Sequence, residues 1–176
     1  EQPSITIERG RDGRFNYERT DAVRGPLPGL SLAKMSFSDG TFRYLDQQSG
    51  KGFEAAGCSL DANRLKLAER DRPGIMKYLS LSAEIACGSV RTKEHAASDL
   101  KFTVAGQHGI FDLNPLTMRA YDGQGSGNLR ADFTGAVPRY HLSYILSQFH
   151  VDAFLKPLSP KNVPEGSADL TVSLSM

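Results

Sequence analysis

A mainly β chain is what this sequence predicts: a curved antiparallel sheet that meanders into a groove or half-barrel. Three observations carry that expectation. Apolar and polar residues alternate strictly in several runs, glycine-bearing turn signals separate the runs, and one segment alone has a helical period. With 176 residues, 39% hydrophobic content and no Trp, the chain suffices for one sizeable domain and is short for two. The apolar residues are spread thinly, which suits a sheet with much exposed surface.

In the first third, Asp12-Gly-Arg-Phe15-Asn-Tyr17 and Asp39-Gly-Thr-Phe42-Arg-Tyr44 share one pattern. Each reads as a turn feeding a strand, with Phe and Tyr on one side, and two copies imply stacked like units. Between them, Gly25-Pro-Leu-Pro-Gly29 is barred from helix and marks a seam near 25–29, a hinge in one sheet rather than a domain boundary. Arg9, Arg11, Arg14, Arg19 and Arg24 are interleaved with Glu8, Asp12, Glu18 and Asp21, the pattern of a solvated, self-paired face.

Leu79, Leu81, Ala83 and Ile85 alternate with Ser80, Ser82, Glu84 and Ala86. Leu100, Phe102 and Val104 do the same, as do Ala168, Leu170, Val172, Leu174 and Met176. Such period-two patterning means one buried face and one wet face. Turns are expected at Gly88-Ser89, Gly106 to Gly109 and Asp122-Gly123. From Asp112 to Asp132 we read two antiparallel strands. Leu116, Met118 and Ala120 share a parity before the turn, and Leu129, Ala131 and Phe133 share one after it. Gly125 and Gly127 let the returning strand bend or bulge. A single short helix is expected near 151–158, because Val151, Phe154, Leu155 and Leu158 have i, i+3, i+4, i+7 spacing. Asp152 is its expected first-turn cap, and Pro157 and Pro160 end the segment.

Cys58 and Cys87 are the only cysteines. Their parities point both toward the apolar side, as a cross-strand disulfide or as two buried thiols. Without a nearby His pair they make a poor zinc site.

Chemistry is absent from the motifs. Gly123-Gln-Gly-Ser-Gly127 lacks the Lys-Ser/Thr ending of a phosphate loop and opens a strand. Gln124 before Ser126 excludes a nucleophile elbow. His95 and His108 lie in or beside turns, His141 faces solvent, and His150 precedes the helix, so no pair has ligand spacing. Glu69 and Asp71 sit in a polar loop before Pro73-Gly74. We expect no enzyme activity, no cofactor and no metal. Lys plus Arg number 21 against 20 acidic residues, a balance that argues against a general nucleic-acid partner. No apolar run approaches the ~20 residues of a membrane-spanning helix. A chain that starts at Glu1 and ends on an apolar strand at Met176 is expected to be a piece of a larger protein.

Several phrases resemble one family. Ser98-Asp-Leu-Lys-Phe102, Gly109-Ile-Phe-Asp-Leu113 and Asp112-Leu-Asn-Pro-Leu, with Tyr121, Gly123, Gly127 and Asp132, look like the hairpin of AsmA-type proteins. The segment Pro138 to Leu158 and Gly166-Ser-Ala-Asp-Leu fit too, and the match runs from about Leu79 to Met176. The resemblance implies residues 1–176 as a single AsmA-like β-groove domain in the bacterial periplasm. It implies a parent protein anchored in the inner membrane and a role in outer-membrane biogenesis. It also tips the cysteines toward a Cys58–Cys87 disulfide. The implied partners are phospholipid or fatty acyl chains, with other envelope proteins as further candidates. The expected lining is Leu81, Ile85, Leu100, Phe102 and Val104, continued by Leu129, Phe133, Leu170, Val172 and Leu174. The alternative expectation is a closed β-sandwich that serves as a structural or protein-interaction module of the envelope.

Overall fold

The computed structural model describes residues 2–16, 29–68, 75–157 and 163–176. Tyr17, most of the 25–29 seam, Arg19, Arg24 and their acidic neighbours, the Glu69 to Gly74 loop, Leu158 and Pro160 lie outside the described residues.

Among the described residues nine strands form one sheet in strict chain order. They are β1 (Ser4–Arg9), β2 (Leu30–Asp46), β3 (Lys51–Leu67), β4 (Leu79–Arg91) and β5 (Ala96–Gln107). Then come β6 (Ile110–Ala120), β7 (Gly123–Asp132), β8 (Arg139–His150) and β9 (Ser167–Ser175). Every neighbouring pair is antiparallel except β1 and β2, which run parallel. That parallel pair departs from the antiparallel expectation. The sheet is not closed, since β1 and β9 lie at opposite ends of the strand order, and among the described residues no second sheet packs on it. The closed sandwich is therefore not the architecture.

Each strand keeps its apolar side chains on one face, but strict alternation does not run its full length. Bulges break the register and switch the parity. On β2 the switch falls between Phe37 and Phe42, where Asp39 has a φ of 55°. On β5 it falls at Asp99 (φ 52°), and on β8 at Gln148 (φ 55°), which carries the inward parity from Leu146 to Phe149. On β6 the extra residue lies at Asn114–Pro115, between Leu113 and Leu116, a position that tolerates proline because the ladder is already interrupted. An extra residue in one strand also bends it and raises its twist.

The bulges correct several local expectations. Asp39-Gly40 is no turn, because it lies inside the 17-residue β2. The two Asp-Gly-x-Phe-x-Tyr segments do not stack as like units: the first falls in the chain after β1, where Phe15 bridges Arg9, and the second belongs to β2. Gly88-Ser89 is no turn either; β4 continues to Arg91, and the chain reverses at Thr92 to His95. There the Thr92 hydroxyl accepts the N–H groups of Glu94 and His95. The β6–β7 turn is displaced by one residue. Tyr121 and Asp122 are its two left-handed residues, with φ of 52° and 63°, and Gly123 already opens β7.

Helix α2 (Val151–Leu155) is shorter than the spacing predicts. His150 is its N-cap residue and makes no side-chain cap bond, so Asp152 stands in the first turn rather than capping it. A second short helix, α1 (Ile75–Tyr78), escaped the sequence reading because four residues carry no period.

These two helices mark opposite ends of a curled sheet. Beside β4, Lys77 of α1 donates through Nζ to the Thr134 carbonyl beyond β7, at 3.2 Å. Strands sit about 4.8 Å apart, so a side chain reaches across β4 to β7 only if the sheet bends toward its apolar face. At the other end, Phe154 of α2 stacks on His95 and meets Tyr121 edge-on. The Tyr121 hydroxyl and His95 Nδ1 lie 2.7 Å apart in a hydrogen bond. That packing helps hold Tyr121 in its left-handed backbone conformation.

The two margins of the sheet differ. On β1, the Asn16 side chain accepts the Glu8 N–H and donates to the Thr6 carbonyl, filling the outward backbone groups. On β9, Met176 and Tyr140 exchange both backbone bonds. The antiparallel alternation then turns the backbone groups of Thr171, Ser173 and Ser175 away from β8.

Candidate functional site

Among the described residues the apolar face is the one feature that is built like a site. Register rows show how it is assembled. Leu60, Ile85, Phe102 and Leu116 align across β3 to β6. Leu129, Leu142 and Leu174 align across β7 to β9. All ten lining residues expected from sequence belong to this face, but they differ in exposure. Val104 is buried in a cluster with Ala62, Ala83, Phe111 and Ala131. Leu81, Ile85, Leu100, Phe102, Leu129, Phe133 and Val172 are half-buried. Leu170 is 37% and Leu174 46% exposed, which places β9 at the open side of the trough. Phe133 packs edge-on against both Phe111 and Tyr140.

The core is thin. Its buried members include four alanines and the two cysteines, and no large side chain among the described residues is fully buried. No buried polar or charged residue is found among the described residues. The opposite face is wet and charged. There Arg130 grips Asp112 through both carboxylate oxygens at 3.0 and 3.1 Å, and Arg43 pairs with Glu54 at 2.5 Å. Exposed pairs of this kind contribute ~0–1 kcal/mol each.

Part of the apolar face closes into a cavity of about 350 Å³. It lies between β1 and β5, walled by Ile5, Phe37, Phe42, Phe53, Leu100 and Phe102, with Ala55, Leu60 and the cysteines also lining it. That Ile5 of β1 and Leu100 of β5 line one space is further evidence of the curl. Phe53 lies 5.7 Å from Phe42 and 5.8 Å from Tyr44, ring centre to ring centre. The sequence reading placed Ile85, Leu100 and Phe102 on this wall and missed Ile5, Phe37, Phe42 and Phe53. The missed signal was the Asp39-Gly40 bulge: without it, Phe37 and Phe42 have opposite parity and no common face.

Cys58 and Cys87 are bonded as a disulfide, directly opposite each other on β3 and β4. It joins the buried cluster with Ala55, against which Phe37, Phe42, Ile85, Val90 and Leu100 pack.

The glycine run from Gly123 to Gly127 has a steric role. β7 pairs with β8 without a register shift, so these glycines do not make a bulge in that pairing. A Cβ at Gly125 would stand 2.1 Å from the Tyr144 hydroxyl, and one at Gly123 would stand 2.7 Å from Phe149 Cβ. The bare backbone lets Tyr144 and Phe149 lie flat across β7. Gly106 seats Phe111 in the same way.

Titratable groups gather elsewhere. His141 is exposed and bonded to Ser175, and His150 lies 3.6 Å from Asp122. Among the described residues no group of three or more His, Cys, Asp or Glu side chains could hold a metal ion. Among the described residues the one strongly shifted carboxylate is structural. Asp132 accepts the Thr134 hydroxyl at 2.5 Å, the Thr134 N–H at 2.8 Å and Arg139 Nη2 at 2.7 Å. These bonds, Thr134 first, bring its pKa down to about 2. A depressed folded value contributes stability above the ordinary carboxylate pKa of ~3.9 and loses it as pH falls through that value toward 2. Urea midpoints should therefore fall between pH 4 and pH 2, and Asp132→Asn should flatten that part of the profile. An unchanged profile would deny Asp132 this role.

No helix among the described residues is long and apolar enough to cross a membrane. Comparison with family models, with curated proteins and with solved structures finds no match.

Proposed function

We propose that this chain is an AsmA-like groove module of the bacterial envelope that holds or passes phospholipid acyl chains along its apolar face. The observation that carries this reading is the long one-sided sheet itself. Its apolar side chains stand on one concave face that, among the described residues, no second layer covers. An uncovered apolar trough of this length is a binding surface for hydrocarbon. Each methylene moved from water onto it contributes about 0.8 kcal/mol, so acyl chains are held without any directional contact. Headgroups remain in water. The disulfide fits an oxidising compartment, and the family resemblance supplies the periplasm, the anchored parent protein and outer-membrane biogenesis.

The test is native mass spectrometry of the domain purified from bacterial envelope, read for bound phospholipid. Leu170→Asp with Leu174→Asp is the informative variant, since both leucines are exposed and their loss removes little packing. Lipid occupancy should drop at least tenfold while the far-ultraviolet spectrum and melting midpoint hold. Lipid-free wild-type protein would sink the proposal.

A further inference from the structure

We infer that the cavity between β1 and β5 is a fixed seat for one unbranched alkyl chain of an amphiphile, distinct from the open trough along β6 to β9. The inference rests on the groove reading and sharpens it from a smooth track to a track with a stop. Size and lining decide the ligand class. At about 350 Å³, the space exceeds twice the ~150 Å³ apolar cavity that takes up benzene, and at ~30 Å³ per small group it holds on the order of ten methylenes. That is one chain segment, with no room for a pair.

Phe37 and Phe42 form one wall, Leu100 and Phe102 face them, and the disulfide lies between. Among the described residues no charged side chain lines the space, and Thr41 and Ser59 are its only hydroxyl side chains, so a charged group would lose its hydration there without compensation. The exposed residues of the wall, Ile5 at 48% and Phe53 at 37%, flank its mouth. Beyond them along the strands, Arg9, Asp46 and Lys51 occupy one register row, with Arg9 and Asp46 paired at 3.7 Å. A headgroup emerging from the mouth meets charge and water.

The seat has a signature that a uniform groove lacks. Titrating the chain with octanoate, decanoate, dodecanoate and hexadecanoate should raise affinity by about fourfold per methylene at first. The gain should then level off at ten to twelve carbons, where added methylenes protrude. Ala55→Phe fills the floor from a buried position, and Ile5→Asp places a carboxylate at the exposed mouth, where folding is not at stake. Each should weaken decanoate binding at least tenfold, while Glu84→Gln on the wet face of β4 should leave it unchanged. Affinity that keeps rising through sixteen carbons, or decanoate binding indifferent to Ile5→Asp, overturns the seat. If phospholipid copurifies but decanoate fails to bind, the seat is wrong and the groove stands; if neither binds, both fall.

Discussion

Replacing Cys58 and Cys87 together by alanine should lower the unfolding free energy by about 3–4 kcal/mol, the value chain entropy assigns to a cross-link closing about thirty residues. The two cysteines are 29 residues apart in sequence and directly opposed on β3 and β4. For a single-layer fold the loss is large, because stabilities of whole domains run only ~5–15 kcal/mol. The bond also ties together the one region where three buried residues meet beneath the aromatic wall. Urea denaturation of the double variant, compared with the oxidised parent at equal protein concentration, measures the difference. A midpoint within error of the parent would show that the strands hold their register without the cross-link.

The glycines of β7 should be nearly as costly to replace, and in two distinguishable ways. At Gly127 an added Cβ would stand 2.1 Å from the Ser143 carbonyl and 2.8 Å from Tyr144 Cα, both backbone atoms of β8. At Gly125 the obstacle is a side chain, the Tyr144 ring and hydroxyl. Overpacking of this kind costs about 1–3 kcal/mol, and we expect both alanine variants to fall in that range. Tyr144→Leu should then restore part of the loss at Gly125 and little at Gly127, a coupling that a double-mutant cycle reads directly. Equal coupling at both sites would contradict the separate origins.

Period-two patterning carried most of the fold. It located β4, β5, β7 and β9, put all ten expected lining residues on one face and pointed both cysteines to it. What it could not carry was the change of phase within a strand. Phe37 and Phe42 share a wall only because Asp39 takes a left-handed backbone conformation between them. Leu113 and Leu116 share a face only because an extra residue intervenes. A dipeptide such as Asp-Gly marks a turn and a bulge equally well in a linear chain, and the difference is settled by whether the neighbouring strand continues past it. For the same reason Gly88 reads as a chain reversal but lies within β4, its backbone facing Gly57 of the adjoining strand. The parallel entry of β1 depends on the pairing of Ile5 with Phe42, a long-range contact that no local pattern encodes. Glycine beneath an aromatic ring, directly opposite at Gly106 with Phe111 and diagonal at Gly125 with Tyr144, needs the cross-strand register before it can be recognised.

The side-chain amide of Asn16 imitates a tenth strand on one flank, answering the donor of Glu8 and the acceptor of Thr6. The flank formed by Thr171, Ser173 and Ser175 has no such imitation among the described residues. Among the described residues the two margins are thus unequal: two outward backbone groups are already answered at β1, while a row of donors and acceptors stands open at β9.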